Sequence, residues 1–332
     1  MPRYVNIVEV WRGKTVESLH MGIAAIANSK GEIIDSWGDI NEIFFPRSAL
    51  KPIQAIALVE TGAYASSRLG LRHLALACGS HNAELFHTEL ALEWLMRLGL
   101  SQDSLLCGPD LPCDENRAPH LFHMAIRRQK INHNCSGKHL GFLTVSKHCN
   151  WPLDGYDDID HPAQKLYLDS LSDLANMDLQ LLNFSVDGCC LPALALPIAD
   201  FSKMMARFSA QQAATPKRRA AVGLIHQAML QHPEYLSGTN QPNVILGRVT
   251  QGRIIMKIGA EGFLTAFMPK QGIAVALKII DGSARGRVPA LIAILLKAGL
   301  ISMDEHKQLS TLATPKVTNS VGTVVGHLQS CL

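Results

Sequence analysis

Apolar and polar residues alternate at both ends of this chain and recur every three to four positions between them. The opening stretches "VNIVEVWRG" and "GIAAIANSKGEIIDSWG" read as strands of a β-meander, with a turn at Asn28–Gly31. Near the other end "RIIMKIGAEGFLTAFMPKQGIAVALKIIDG" behaves the same way and turns at Pro269–Gly272. The spacing between predicts helices over about 84–99, 139–148, 161–177, 197–212 and 216–231, and a last one over about 286–298 that stops before Gly299. No internal repeat, low-complexity tract or linker interrupts the pattern. Two β-rich ends around a helical middle predict an α/β (α+β) protein in which one antiparallel sheet is built from both termini. The expected organisation is a single catalytic unit, residues 1–332, with an α/β part over about 1–62 and 240–332 and a helical part over about 63–239.

Composition narrows the classes. A chain of 332 residues buries a large core, and 47% hydrophobic residues is ordinary. Only 18% of residues are charged, which favours surface lost to an oligomer interface. The net charge of +3, with no basic run beyond "KRR" at 217–219, offers nothing to a nucleic acid. The N-terminus lacks an apolar signal core, and the longest greasy stretch, "VPALIAILL", is too short to span a bilayer. Eight scattered cysteines read as reduced thiols in a cytoplasmic protein, with room for a metal site.

The chemistry begins at "FFPRSALKPIQA", where Ser48 and Lys51 form the one Ser-x-x-Lys in the chain, between Pro46 and Pro52. Pro52 is tolerated only in a first helical turn, and it biases Lys51 away from helical geometry. Ser48 is therefore expected at the mouth of a helix that closes near Gly62, where free amides favour negative charge. A capping serine beside a solvated lysine explains the same spacing. The functional reading makes Ser48 a nucleophile activated by neutral Lys51. For that, a lysine pKa must fall from about 10.4 to near 7, a cost of about 4 kcal/mol. Burial and a second cation nearby are the available means.

"ALACGSHNAE", 75–84, breaks before a helix; Ser80 or Asn82 is a cap there, or Ser80 is a second active-site serine. In "MKIGAEG", Lys257 precedes a glycine kink, a pattern similar to the K-T-G strand of penicillin-binding proteins and class A β-lactamases. Lys278 is a rival for any role given to Lys257. "NHNCSGKHLG" and "VDGCCLP" are the metal candidates: Cys135 and Cys189 with a nitrogen donor suit zinc, and chemistry alone favours His139 over Lys138 as that donor.

Taken together, "RGKTVESLHMG", "FPRSALKPIQA", "LALACGSHNAE", "HNCSGKH", "HPAQ", "DGCCLP", "KIGAEG" and "ALKIIDG" occur in the order and rough spacing of the serine–lysine L-asparaginases, the asparaginase II family, over roughly residues 9–325. The chain is similar to that family throughout. The resemblance implies a fold related to serine β-lactamases and glutaminases, with Ser48–Lys51 and Ser80–Lys257 as two serine–lysine tandems. It also implies zinc held by Cys135, Lys138 and Cys189, which displaces His139 as ligand and leaves His139 and Asp187 facing substrate or supporting the metal. Arg47 is a candidate for the substrate α-carboxylate. Departures are "ACGSHNAE" for the more usual "ACASHSGE", and Cys190 where many members have glycine. The implied reaction is hydrolysis of L-asparagine to L-aspartate and ammonia by a cytoplasmic homodimer. A glutaminase, a β-lactam-reactive enzyme and a non-catalytic zinc- or amino-acid-binding protein are the alternatives; no S-D-N follows the Ser-x-x-Lys motif, which weighs against the second.

Overall fold

The computed structural model describes residues 2–113, 128–179 and 182–332. The chain divides into two compact units, residues 1–49, 196–210 and 242–332, and residues 50–195 and 211–241.

The first unit is organised on one antiparallel sheet, and its strand order reveals why both chain ends are needed. The sequence across the sheet is Lys316–Thr318, Val324–Ser330, Val5–Arg12, Thr15–Asn28, Ile273–Ile279, Phe263–Met268 and Ile255–Ile258, with Ile33–Trp37 also paired to Thr15–Asn28. N- and C-terminal strands meet in the register Val10↔Leu328, and the two predicted meanders meet in the register Ile26↔Val275. Alternation decides the faces. Ile26, Leu264, Val275 and Leu277 join Leu291, Ile294 and Leu295 of the helix Arg287–Lys297 in one buried cluster. The intervening residues face the helix Ile198–Ser209, where Phe201 meets Phe263 edge-on at 5.0 Å and Phe208 meets Phe267 at 5.4 Å. Lys257, paired with Thr265, has the parity of this second face. The hairpin turns fall where the sequence puts them: Gly31 N–H bonds Asn28 O, and Gly272 N–H bonds Met268 O.

The second unit is helical. Its principal helices are Leu71–Cys78, Leu85–Leu98, Ser136–His148, Pro162–Ala175 and Pro216–Gln231, each within a few residues of its predicted span where one was predicted. "DIDHPAQ" is a helix start: His161 caps through its ring, accepting from Ala163 N–H, and Pro162 occupies the first turn. Arg218, 7% exposed in its side chain, fastens three helical segments by meeting Glu60 at 3.0 Å, Asp169 at 2.5 Å and Asp173 at 2.9 Å. Gly137 sits where the Ser136–His148 helix crosses the end of Leu71–Cys78, and a Cβ there would stand 2.7 Å from the Leu76 carbonyl carbon.

One local expectation needs correction. Lys51 is not driven out of helical geometry by Pro52. A 3-10 turn, Arg47–Leu50, runs into a short α-helix, Lys51–Gln54, through Leu50 at φ −83°, ψ −8°. Pro52 lies in the first turn of that helix, where its missing N–H has no partner to lose. Among the described residues, no helix is long and apolar enough to cross a membrane.

Candidate active site

In the first unit, Ser48 lies in the 3-10 turn closed by Ala49 N–H on Pro46 O at 3.1 Å. Gly259 comes close to this turn: a Cβ on it would lie 2.5 Å from Pro46 O and 2.9 Å from the Phe263 Cβ. Only glycine permits that approach, and it brings the end of the Ile255–Ile258 strand beside the serine-bearing turn. Lys257 on that strand is buried at 1% exposure and donates to Ile258 O at 2.8 Å. Its rival Lys278 is spent on backbone, donating to Glu261 O at 2.6 Å and Ile279 O at 2.5 Å, beneath the Phe44 ring. Lys278 thus pins the kink, a structural task. Arg47 adopts φ 50° and its guanidinium faces Glu261 at 3.9 Å.

In the second unit, Lys51 is fully buried. Its Nζ contacts Gly79 O, Asn134 O at 3.1 Å and Ser80 Oγ at 2.9 Å. This answers the capping question: Ser80 does not cap the helix Leu85–Leu98, whose N-terminus lacks a side-chain cap. The Ser80 loop is held instead by backbone, through Ser80 N–H to Leu236 O at 2.7 Å and Asn82 N–H to Ser237 O at 3.0 Å. Glu84 fastens the same segment by accepting from Thr239 N–H and Oγ–H. Burial lowers the Lys51 pKa; the charge on Cys135 opposes the shift and that on Lys138 assists it. Lys138 thus supplies a second cation of the kind a lysine base requires.

The metal candidates converge as well. Cys135 immediately precedes the Ser136–His148 helix, Lys138 lies in its first turn, and Lys138 Nζ is 2.9 Å from Cys189 Sγ. Cys189 arrives in a tight turn in which Cys190 N–H bonds Asp187 O at 2.9 Å and Asp187 N–H bonds Leu191 O at 2.8 Å. Cys190 itself is exposed and held at φ 74°. The hydrogen bond from Cys189 draws the Cys135 pKa well below the usual thiol value, and that same bond, with burial, raises Cys189. Burial works to lower Lys138, but Cys135, Cys189 and Asp187 outweigh it and raise its pKa.

Among the described residues, no group of three His, Cys, Asp or Glu is arranged to hold a metal. The set here contains two such residues and depends on Lys138 as third donor. His139 is not gathered with the thiols; its Nδ1 is 2.6 Å from Tyr156 Oη, and its buried Nε2 has no partner. Two further groups escaped sequence reasoning. The carbonyls of Gly79 and Asn134 carry no side-chain signature at all, and Tyr156 stands in a polar loop, "DGYDD", with nothing to mark it.

Compared with known families, the chain matches the L-asparaginase II family profile over residues 8–330. The chain belongs to the L-asparaginase II family. It is therefore a hydrolase of amide bonds, and L-asparagine is the substrate consistent with the family. Comparison with curated protein sequences finds no match. Among solved structures, the chain is similar to a β-lactamase from Mycobacterium bovis, with 14% identity over 83% of this chain and 94% of that one, at a TM-score of 0.44. It is also similar to an octameric penicillin-binding protein homologue from Pyrococcus abyssi, with 12% identity over 84% and 73%, again at 0.44.

Proposed function

We propose that this L-asparaginase II hydrolyses the side-chain amide of L-asparagine through a serine acyl-enzyme, with Ser48 as nucleophile and Lys51 as its base. The observation that carries the proposal is the surroundings of Lys51 Nζ. A neutral amine has two hydrogens and one lone pair. With Gly79 O and Asn134 O able only to accept, both hydrogens are committed to them, and the lone pair is left for a hydroxyl proton; Ser80 Oγ, at 2.9 Å, holds that place at rest and yields it to Ser48 in the proposed reaction. Burial favours that neutral form.

Lys51 takes the Ser48 proton as Oγ attacks the amide carbon. Because Ala49 N–H is committed to Pro46 O and Gly259 N–H to Phe263 O, the oxyanion is assigned to the amide of Ser48 itself. The proton held by Lys51 passes by way of Ser80, 2.9 Å away, to the departing ammonia. Lys257, buried on its strand, is the second lysine of this relay, and water then releases L-aspartate. Arg47 is assigned to the substrate carboxylate, in exchange for its long contact with Glu261.

Zinc is assigned to Cys135, Lys138 and Cys189, whose two sulfurs and one amine are the soft and borderline donors it prefers. When bound it would supply a fixed positive charge that organises the pocket. Lys138 must give up its proton to ligate, so metal and proton compete for one site. Asp187, which acts electrostatically on Lys138, is assigned to its support.

The test is ammonia release from L-asparagine by the purified protein, with L-glutamine as control. Turnover should vanish in Ser48→Ala, and zinc content should drop in Cys135→Ala. Near-normal turnover by Ser48→Ala would sink the nucleophile assignment.

A further inference from the structure

We propose that Tyr156 is a positioning residue which fixes His139 as the Nε2–H tautomer, so that His139 presents a hydrogen-bond donor to a carboxylate or carbonyl oxygen of the bound substrate. The inference rests on hydrogen counting around one buried hydroxyl. Tyr156 Oη lies 2.9 Å from Leu106 N–H, which can only donate, and 2.6 Å from His139 Nδ1. Among the described residues it has no other hydrogen-bond partner, so the one hydrogen on Oη goes to Nδ1. Were Nδ1 protonated, the hydroxyl hydrogen would have no acceptor. A neutral imidazole that accepts at Nδ1 carries its own proton on Nε2.

That Nε2 is buried and without a partner. Tyr156 and His139 are both 0% exposed, and the Tyr156 backbone is tied down by Gln164 Nε2 donating to its carbonyl at 2.7 Å. The donor is therefore buried, held in place and unused, a state that buried polar groups rarely keep unless something else arrives to pair with them. Lys138, Cys135, His133 and Lys51 act on it electrostatically, and its chain neighbour Lys138 is in contact with Cys189, which puts it among the residues assigned to the reaction. A fixed N–H discriminates: it favours an oxygen lone pair and repels an amide NH2, and so helps set which way round an amide-bearing substrate lies. The substrate named here rests on the asparaginase reading, whereas the tautomer does not.

The experiment is long-range 1H–15N correlation on protein labelled with 15N-histidine, with the His139 signal identified by its loss in His139→Gln. Wild type should show the Nε2–H pattern at His139, and L-aspartate should move the Nε2 proton downfield. Tyr156→Phe should give a mixed tautomer pattern and raise KM for L-asparagine by about 3- to 10-fold, the scale of one neutral hydrogen bond, with kcat less affected. His139→Gln, whose amide places a donor near Nε2 without needing Tyr156, should be insensitive to adding Tyr156→Phe. An Nδ1–H pattern in wild type, bound L-aspartate that leaves the Nε2 proton unmoved, or an equal KM penalty in the His139→Gln background each overturns the proposal. Absence of ammonia release would sink the asparaginase reading alone, because the spectrum reports the tautomer without turnover.

Discussion

Replacing Gly137 by alanine perturbs the proposed site without touching any reacting group. The new Cβ would lie 2.7 Å from the Leu76 carbonyl carbon and closer still to its oxygen, while ordinary contact begins at about 3.4 Å. Both partners are helical backbone, so neither can rotate aside, and the Ser136–His148 helix must retreat from Leu71–Cys78 by at least about 0.7 Å. Asn134, just ahead of the retreating helix, accepts from Lys51 at 3.1 Å; that bond would stretch past hydrogen-bonding range. His81, which ties the Ser80 loop to the same helix through Ser136 Oγ at 2.9 Å, would lose its partner too. Overpacking of this kind costs about 1–3 kcal/mol, and displacement of a catalytic group by about 1 Å can cost 100-fold in rate. The assay is kcat/KM for ammonia release together with thermal unfolding. Gly141→Ala is the control, because one turn further along the same helix an added Cβ meets only the Ala77 Cβ at 3.8 Å and a Leu58 methyl at 4.0 Å. Gly141→Ala should be neutral or gain about 0.5–1 kcal/mol. A folded Gly137→Ala with activity within threefold of wild type and an unchanged melting temperature would refute the reasoning.

Other perturbations isolate single terms. Lys51→Met should abolish turnover, and it should also change how stability depends on pH. Since burial lowers the folded pKa of Lys51 below its unfolded value, the unfolded chain binds that proton more tightly, and wild type should gain stability relative to Lys51→Met as pH is raised toward 10.5. Unfolding curves at several pH values check the sign; a gain on lowering pH would be fatal to it. Cys190→Gly should stabilise by about 1 kcal/mol, because an exposed L-residue there is held at φ 74°, in the left-handed region where its Cβ is penalised; a lower melting temperature would contradict this. Arg218→Met should cost about 1–3 kcal/mol in urea unfolding, since it leaves Glu60 and Asp173, with the more exposed Asp169, converging on a position without a cation. A loss below 1 kcal/mol would mean the cluster is solvated.

How much of this was legible beforehand depends on whether a feature is written in side chains or in backbone. The sheet was legible, because alternation in 5–38 and 253–282 is a side-chain signal and the turns at Asn28–Gly31 and Pro269–Gly272 use residues chosen for turn geometry. Ser48, Lys51 and Ser80 were legible as types, yet the Lys51–Ser80 bond was not, since it depends on where the Leu71–Cys78 helix ends. The same sequence, "GSHN", serves a helix cap equally well, and only tertiary packing against Leu236 and Ser237 pulls Ser80 out of that role. Where His139 lies was illegible for a related reason. Imidazole is the better intrinsic ligand, but the helix that starts at Cys135 gives the contact with Cys189 to Lys138 and leaves His139 to Tyr156. The departures from family pattern acquire physical meaning only with dihedrals in hand: Ala83 at φ 62° and Cys190 at φ 74° both replace glycine where glycine is what the backbone wants.

Two buried lysines near one helix N-terminus are driven in opposite directions, and that contrast is what the proposed chemistry requires. Lys51 and Lys138 are both nearly inaccessible, at 0% and 4% exposure, so desolvation pushes each toward the neutral form. For Lys51 the desolvation outweighs the opposing charge of Cys135, two carbonyls and a hydroxyl being its other contacts, and burial prevails. For Lys138 the charges of Cys135, Cys189 and Asp187 prevail instead, and the cation persists. The cation then repels the proton on Lys51, so the thiol cluster contributes to the neutrality of the proposed base even before any metal is considered. In the proposed zinc-bound state a divalent ion would replace the Lys138 proton and preserve that positive charge, so the proposed base would stay neutral. By the same logic Cys135→Ser, which removes the anion that holds the Lys138 proton, should affect the pH at which Lys51 becomes competent as well as the metal content.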